Sequence, residues 1–287
     1  MKKTRKIISL LLSLLMIITS VPLMAVNSFA ADVVKSGTTG ECTWTLDGTV
    51  LTISGNGKMG KYYMDKYPSW GLSITKVVIE NGVTSIGGMA FADCKSLTSV
   101  TIPDSVTSIG YRAFIGCTSL TSITIPDSVT KIGEGTFWSC PSLTSVNIPD
   151  SVKSIGDHAF LSCTSLTSIT IPDGVTSIGV GVFEGCTSLT SITIPDSVTR
   201  IGQSAFSDCT SLTSVTIPKS VKDIGSEAFG YYYDSVENKK TIDGFTVYGY
   251  QGSAAEKYAK DNGFEFSPMA STNELLLISV AKLPAKT

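Results

Sequence analysis

From Ile74 onward, hydrophobic and polar residues follow one order that repeats every 23 residues. Ile74–Ser96 reads ITKVVIENGVTSIGGMAFADCKS, and six further units begin at Leu97, Leu120, Leu143, Leu166, Leu189 and Leu212, the last ending at Asp234. No unit gains or loses a residue, so every column keeps its register, as stacking of successive coils demands. In the second unit Leu97, Val100 and Ile102 have L-x-x-V-x-I spacing, and Val100 and Ile102 alternate as in a half-buried strand. Pro103 cannot donate to a ladder and ends the strand, and Asp104 and Ser105 turn the chain. Val106 and Ile109 point back into the core, and Gly110 supplies a backbone geometry that other residues resist. Ala113 and Phe114 suit a short helical turn before Cys117 returns inward. One coil buries too little to fold alone, so the pattern predicts a repeat solenoid, mainly β with short helical turns.

A solenoid has to cover the apolar cross-section of its end coils. Between Cys42 and Ile53 an Asp47-Gly48 pair fits a two-residue hairpin turn, which sets Cys42, Trp44 and Leu46 opposite Ile53, Leu51 and Thr49. At the other end, the seventh unit loses its Cys to Tyr232 and Thr246–Tyr250 reads as a strand. Ser253-x-x-Glu256 reads as a capping box opening a helix with Ala254, Ala255, Tyr258 and Ala259 on its apolar face, and Gly263 ends it. The expected order is a signal peptide at 1–30, an N-terminal β-hairpin cap at 31–73 and seven repeats at 74–234. A C-terminal strand-helix cap at 235–266 and a tail or linker at 267–287 follow.

The run C-x-S-L-T-S-[IV]-T-I-P-D-S-V-T-x-I-G-x-x-A-F, from about Ile74 to Tyr233, resembles the BspA-like bacterial leucine-rich repeats. Gly252–Lys260 is also similar to the closing segment of many such proteins. The resemblance implies leucine-rich repeat architecture and an exported bacterial surface protein. Some members are adhesins, and none contributes a catalytic motif.

Composition sharpens this picture in two places. Met1–Lys6 is basic, Ile7 to Val26 is mostly apolar, and Ser28-Phe29-Ala30 puts small residues where signal peptidase cuts. The alternative is an uncleaved anchor; the mature chain has no membrane span of its own. Export implies a secreted or cell-surface location. Beyond residue 30 the chain holds 18 bases against 24 acids, and that acidic body argues against nucleic acid as a partner. An extracellular protein or glycan ligand is expected instead, bound by a monomer that needs no cofactor.

Six cysteines recur at the repeat interval: Cys94, Cys117, Cys140, Cys163, Cys186 and Cys209. In-register coils keep their Cβ vectors parallel, so the expectation is a buried thiol ladder, neither bridged nor metal-bound. Asp104, Asp127, Asp150, Asp173 and Asp196 form a second column, read as turn residues facing water, with weakly held Ca²⁺ as the alternative. His158 is the only histidine and has no fixed nucleophile or carboxylate around it, so it reads as a surface substitution. No catalytic, cofactor or metal residue is nominated, and an enzyme is not expected.

Four columns vary between units, all flanking the Ala-Phe turn, whereas the Leu, Ile, Val, Gly, Phe and Cys columns hardly vary. The column that accepts Ala92, Ile115, Trp138, Leu161 and Glu184 reads as exposed. Ile115, Trp138 and Leu161 would then form an apolar stripe beside Tyr111 and Arg112, and patches rich in Trp, Tyr and Arg are typical contact sites. The candidate binding residues are Tyr111, Arg112, Ile115, Trp138, His158, Leu161 and Glu184. The strand face is monotonous in Ser99, Ser122, Ser145 and Thr101, Thr124, and offers at most a repetitive polymer such as glycan a match. A structural spacer in the cell envelope is the other reading of such a rod.

Overall fold

The computed structural model describes residues 35–234 and 238–270. The expected signal peptide at 1–30 and most of the tail lie outside the described residues. The chain winds as a β-solenoid, and each unit contributes two short parallel ladders rather than the single strand its pattern shows. The first ladder runs through Ser99–Thr101, Ser122–Thr124 and Ser145–Asn147, then through bridges at Thr170 and Thr193 to Ser214–Thr216. Its alternation is that of a one-sided strand: in Ser145–Asn147 only the middle residue, Val146, is buried. The second ladder stacks Ser108–Ile109, Lys131–Ile132 and Ser154–Ile155, and continues with Ser177–Ile178, Arg200–Ile201 and Asp223–Ile224. Two residues per strand are too few to show a period in the sequence.

Gly110 and its column have a different reason from the one the sequence suggests. None of these glycines has positive φ. A Cβ on Gly110 would lie 2.7 Å from the Gly88 nitrogen, and one on Gly133 would lie 2.8 Å from the Gly110 carbonyl carbon. Backbones of successive coils touch there, so the constraint is space, not conformation.

The core is a set of ladders running along the coil axis. Phe91, Phe114, Phe137, Phe160, Phe183, Phe206 and Phe229 are fully buried, with adjacent ring centroids 4.6–5.6 Å apart. Beside them all the described cysteines are free and buried. Each thiol from Cys117 to Cys209 donates to the phenylalanine carbonyl of the preceding coil, as Cys163 does to Phe137 at 3.2 Å. Burial pushes the Cys94, Cys140 and Cys186 thiols up to about 12. It raises Cys117, Cys163 and Cys209 well above the usual thiol range as well. These thiols are core groups held as the inert protonated form, and from Cys117 to Cys209 the donor is also occupied.

Both ends are capped. β1 (Lys35–Thr39), β2 (Cys42–Asp47) and β3 (Val50–Gly55) form an antiparallel sheet, and β3 then pairs in parallel with Lys76–Ile79 of the first coil. β1 has no hydrophobic alternation to announce it. The hairpin turn falls at Gly48-Thr49, so Trp44 pairs with Ile53 and Leu46 with Leu51, two residues from the register expected. Gly48 has φ 56 and Thr49 has no positive φ, as in the two-residue turns that need Gly first. The shift is even, so the same side chains still face the core. Trp70 covers Phe91 at 6.0 Å and is itself met edge-on by Trp44 and Tyr62.

At the far end Thr246–Gly249 and Glu265–Pro268 extend the first ladder, with the helix Ala254–Asn262 between them. Ala255, Tyr258 and Ala259 are its buried face, and Gly263 closes it at φ 71. The expected capping box does not form: Glu256 accepts from the Gly252 amide at 2.6 Å, one residue before the N-cap, and the Ser253 side chain caps nothing. From Phe91 to Phe183 each phenylalanine finds a partner for its amide and one for its carbonyl in the following coil, as Phe137 does in Ala159 and Cys163. Phe229 has no such coil after it. The Tyr258 hydroxyl meets both needs, accepting from the Phe229 N–H and donating to its carbonyl, each at 2.8 Å.

Candidate binding surface

The coils close through tight turns. In the second, Ala113, Ile115 and Cys117 donate to Gly110, Arg112 and Phe114, each a step of three residues. Such an arc turns sharply only if some residues adopt left-handed backbone. Met89, Arg112, Gly135, His158, Gly181, Ser204 and Glu227 all do so, with φ between 50 and 58. Asp93, Gly116, Ser139, Ser162, Gly185 and Asp208 form a second left-handed column, which shifts one residue earlier to Gly230 in the seventh coil. Two columns that look free in the sequence are thus the conformationally demanding ones. Each non-glycine residue there carries roughly 1–2 kcal/mol of strain.

The first left-handed column organises the candidate residues. The Arg112 guanidinium lies 4.8 Å from the Tyr111 ring centre and 4.6 Å from that of Trp138, so it is clamped between two aromatic faces. Trp138 in turn stacks on His158 at 6.0 Å. Between these side chains lie glycines. A Cβ on Gly135 would stand 3.0 Å from Arg112 Cγ, and one on Gly181 would stand 2.7 Å from His158 Cδ2 and 2.8 Å from Glu184 Oε2. Large side chains from one coil fold over the glycine of the next, which explains the alternation Arg112, Gly135, His158, Gly181. The Glu184 carboxyl is raised above its usual range, first by burial and then by Asp208 and Glu227, with His158 opposing.

Tyr111 is 44% exposed, and Arg112, Trp138, His158 and Glu184 are half-buried. The column expected to be exposed is not. Ala92 and Ser207 are buried, and Ile115, Leu161 and Glu184 are only part-exposed. The coils above and below shield each member, so this column tolerates variety by being half-covered rather than free. The contacts that join coils here are Arg112–Trp138 and Trp138–His158; Ile115 and Leu161 flank that row.

Three groups escaped the sequence reading. Glu227 continues the column and accepts from the Tyr233 hydroxyl at 2.7 Å and from Lys239 Nζ at 3.0 Å. Those two bonds hold the Glu227 carboxyl below its usual range, and the same bond pushes the Tyr233 hydroxyl up to about 12. Tyr233 and Lys239 belong to a hairpin of Tyr231–Tyr233 with Lys239–Thr241, whose only sequence sign is loss of the repeat after Phe229. The aspartate column is exposed at Asp104, Asp127, Asp150, Asp173 and Asp196. Among the described residues no group of three metal-ligating side chains converges, and no helix is long and apolar enough to cross a membrane.

A family model for the BspA type leucine rich repeat region matches in six copies, over residues 67–189 and 130–250. The chain belongs to the BspA-type leucine-rich repeat family. Leucine-rich repeat solenoids are in general binding scaffolds that offer an extended surface. The T. pallidum leucine-rich repeat protein TpLRR is similar at 25% identity and TM-score 0.55, over 84% of this chain and 98% of that one. A leucine-rich repeat protein of Bacteroides ovatus is similar at 23% identity and TM-score 0.49, over 81% and 76%. A leucine rich cell surface protein of Faecalibacterium prausnitzii shares 30% identity over 70% and 75%, with TM-score 0.41. No curated protein matches the chain.

Proposed function

We propose that this BspA-type protein is exported and binds an extracellular protein at the outer edge of its coils, as in adhesion or contact with a host or microbe, without catalysis. The observation that carries the reading is the row Tyr111–Arg112–Trp138–His158, which joins three coils through stacked rings and a clamped guanidinium. Trp, Tyr and Arg are enriched among the residues that dominate contact-site energetics, Trp and Tyr because they cover much area at low entropy cost and Arg because its planar fork bonds in pairs. Export rests on the basic and apolar character of residues 1–30. Capture of the protein by a panel of immobilised matrix proteins, glycans and bacterial surfaces tests the reading. Trp138→Ala and Tyr111→Ala are expected to weaken capture at least tenfold with the fold intact, and unchanged capture by both variants would remove the edge from consideration.

A second reading is glycan binding on the strand face, where Ser99, Thr101, Ser122 and Thr124 are exposed. It predicts capture by the glycans alone, insensitive to Trp138→Ala. A chain that binds nothing in the panel acts as a spacer.

A further inference from the structure

A groove of 580 Å³ opens between the N-terminal cap and the first coils, and Tyr111, the ring over which Arg112 lies, is part of its wall. Lys58, Lys61, Tyr62, Tyr63 and Tyr111 line it, together with backbone at Gly87, Gly88 and Gly110, and no acidic residue does. That is notable in a chain whose body is net acidic. Among the described residues Lys58, Lys61 and Arg112 form no ion pair. The nearby Glu41 carboxylate is engaged by the Lys58 backbone N–H at 2.8 Å. Arg112 Nε is buried with no hydrogen-bond partner, and neither terminal nitrogen of its part-exposed head is paired with a described residue. The two rings therefore hold the guanidinium in place while leaving its end-on donors unused. A pre-set guanidinium fork without a counter-ion matches a carboxylate, which it binds through two parallel hydrogen bonds.

We propose that Arg112 and the groove beside it form a receptor site for an acidic peptide segment of the partner protein. One aspartate or glutamate carboxylate docks end-on against the terminal nitrogens of Arg112. An adjacent aromatic or aliphatic side chain fills the groove against Tyr62, Tyr63 and Tyr111, and a further carboxylate lies near Lys58 and Lys61. The proposal rests on the edge being the contact surface, and it adds what the edge recognises. Charge complementarity favours the acidic partner, and a segment with alternating acidic and apolar side chains fills a span that a single sugar carboxylate does not.

The test uses the full chain and a fluorescein-labelled octapeptide of alternating glutamate and phenylalanine, followed by fluorescence anisotropy. Saturable binding is expected that weakens at least tenfold for the glutamine-for-glutamate peptide and at least tenfold in Arg112→Gln. Arg112→Lys keeps the charge but loses the fork, and is expected to fall between. If Arg112→Gln fails to fold, the glutamine peptide and Arg112→Lys still decide. Equal binding of the two peptides, no binding of either, or undiminished binding by Arg112→Gln would overturn the proposal. So would tight binding of oligogalacturonate in place of the peptide, which moves the carboxylate to a sugar. Loss of partner capture in Trp138→Ala with Arg112→Gln unaffected sinks this inference alone, whereas capture indifferent to Trp138 and Tyr111 sinks the edge reading with it.

Discussion

The buried columns and the outer edge of each coil are built from the same units, yet they solve opposite problems. In the core, Phe, Cys, Leu and Gly sit in ordinary backbone and repeat because every neighbour is a copy of themselves. At the edge the backbone is strained, at φ 50 for Arg112 and φ 56 for His158, and the side chains differ from coil to coil. Uniformity therefore marks where coils pack, and variety marks where they turn. Variety does not mean freedom, because the edge alternates bulk with glycine to fit large side chains into a spacing of one coil.

The largest test of the core half of this comparison is alkali. Unfolded cysteine releases its proton near 9.0, while Cys94, Cys140 and Cys186 hold theirs to about 12 in the folded chain. The unfolded state thus binds fewer protons above pH 9, so stability is full below that pH and falls as pH rises toward 12. Each buried thiol contributes a slope of about 1.4 kcal/mol per pH unit, and the ladder adds them. Urea midpoints at pH 8 and pH 10 should differ sharply, with Cys163→Ala flattening the slope by one thiol's share; matching midpoints would show that the thiols are not held protonated.

Next in size is Phe160→Ala, which opens a void in the ring stack and should cost about 3–5 kcal/mol in urea unfolding. Tyr258→Phe removes one hydroxyl that serves two backbone groups of Phe229, and should cost about 1–3 kcal/mol. At the edge the balance reverses. Trp138→Ala should cost about 1–2 kcal/mol, less than Phe160→Ala, since its ring is only partly covered and rests on Arg112 and His158 rather than in the core. Smallest is Ser204→Gly, which relieves a left-handed serine and should raise stability by about 0.5–1 kcal/mol in the same assay. A destabilising result there would mean that the edge is held by side-chain contacts rather than merely turned by the backbone.

The repeat, its length and its inward columns were legible because identical neighbours leave a period in the sequence. Cys163 could be read as a core thiol from in-register geometry alone. The second ladder was not legible, because Lys131–Ile132 is two residues long. Gly110 stands out in the sequence without its cause, since close approach of backbones leaves the same letter as positive φ. The edge was the hardest to read. Arg112, His158 and Glu227 occupy a column whose demand is conformational, and a demand met by any residue at modest cost leaves no signature. The row that joins them exists only through the stacking of coils, which sets Trp138 between Arg112 and His158.

The Tyr258 hydroxyl carries a consequence for how such a chain can change its length. It replaces a following coil by addressing only the amide and carbonyl of the last phenylalanine, groups that every coil presents alike. That contact would seat on any coil of this pitch, while Phe264 and Asn262 also hold Tyr231 of the seventh coil. Whole units between the first and the seventh coil could therefore be duplicated or excised with both ends unchanged, so long as the cut respects the 23-residue register. Reach, and the number of edge side chains displayed, can then be set independently of how the ends are sealed.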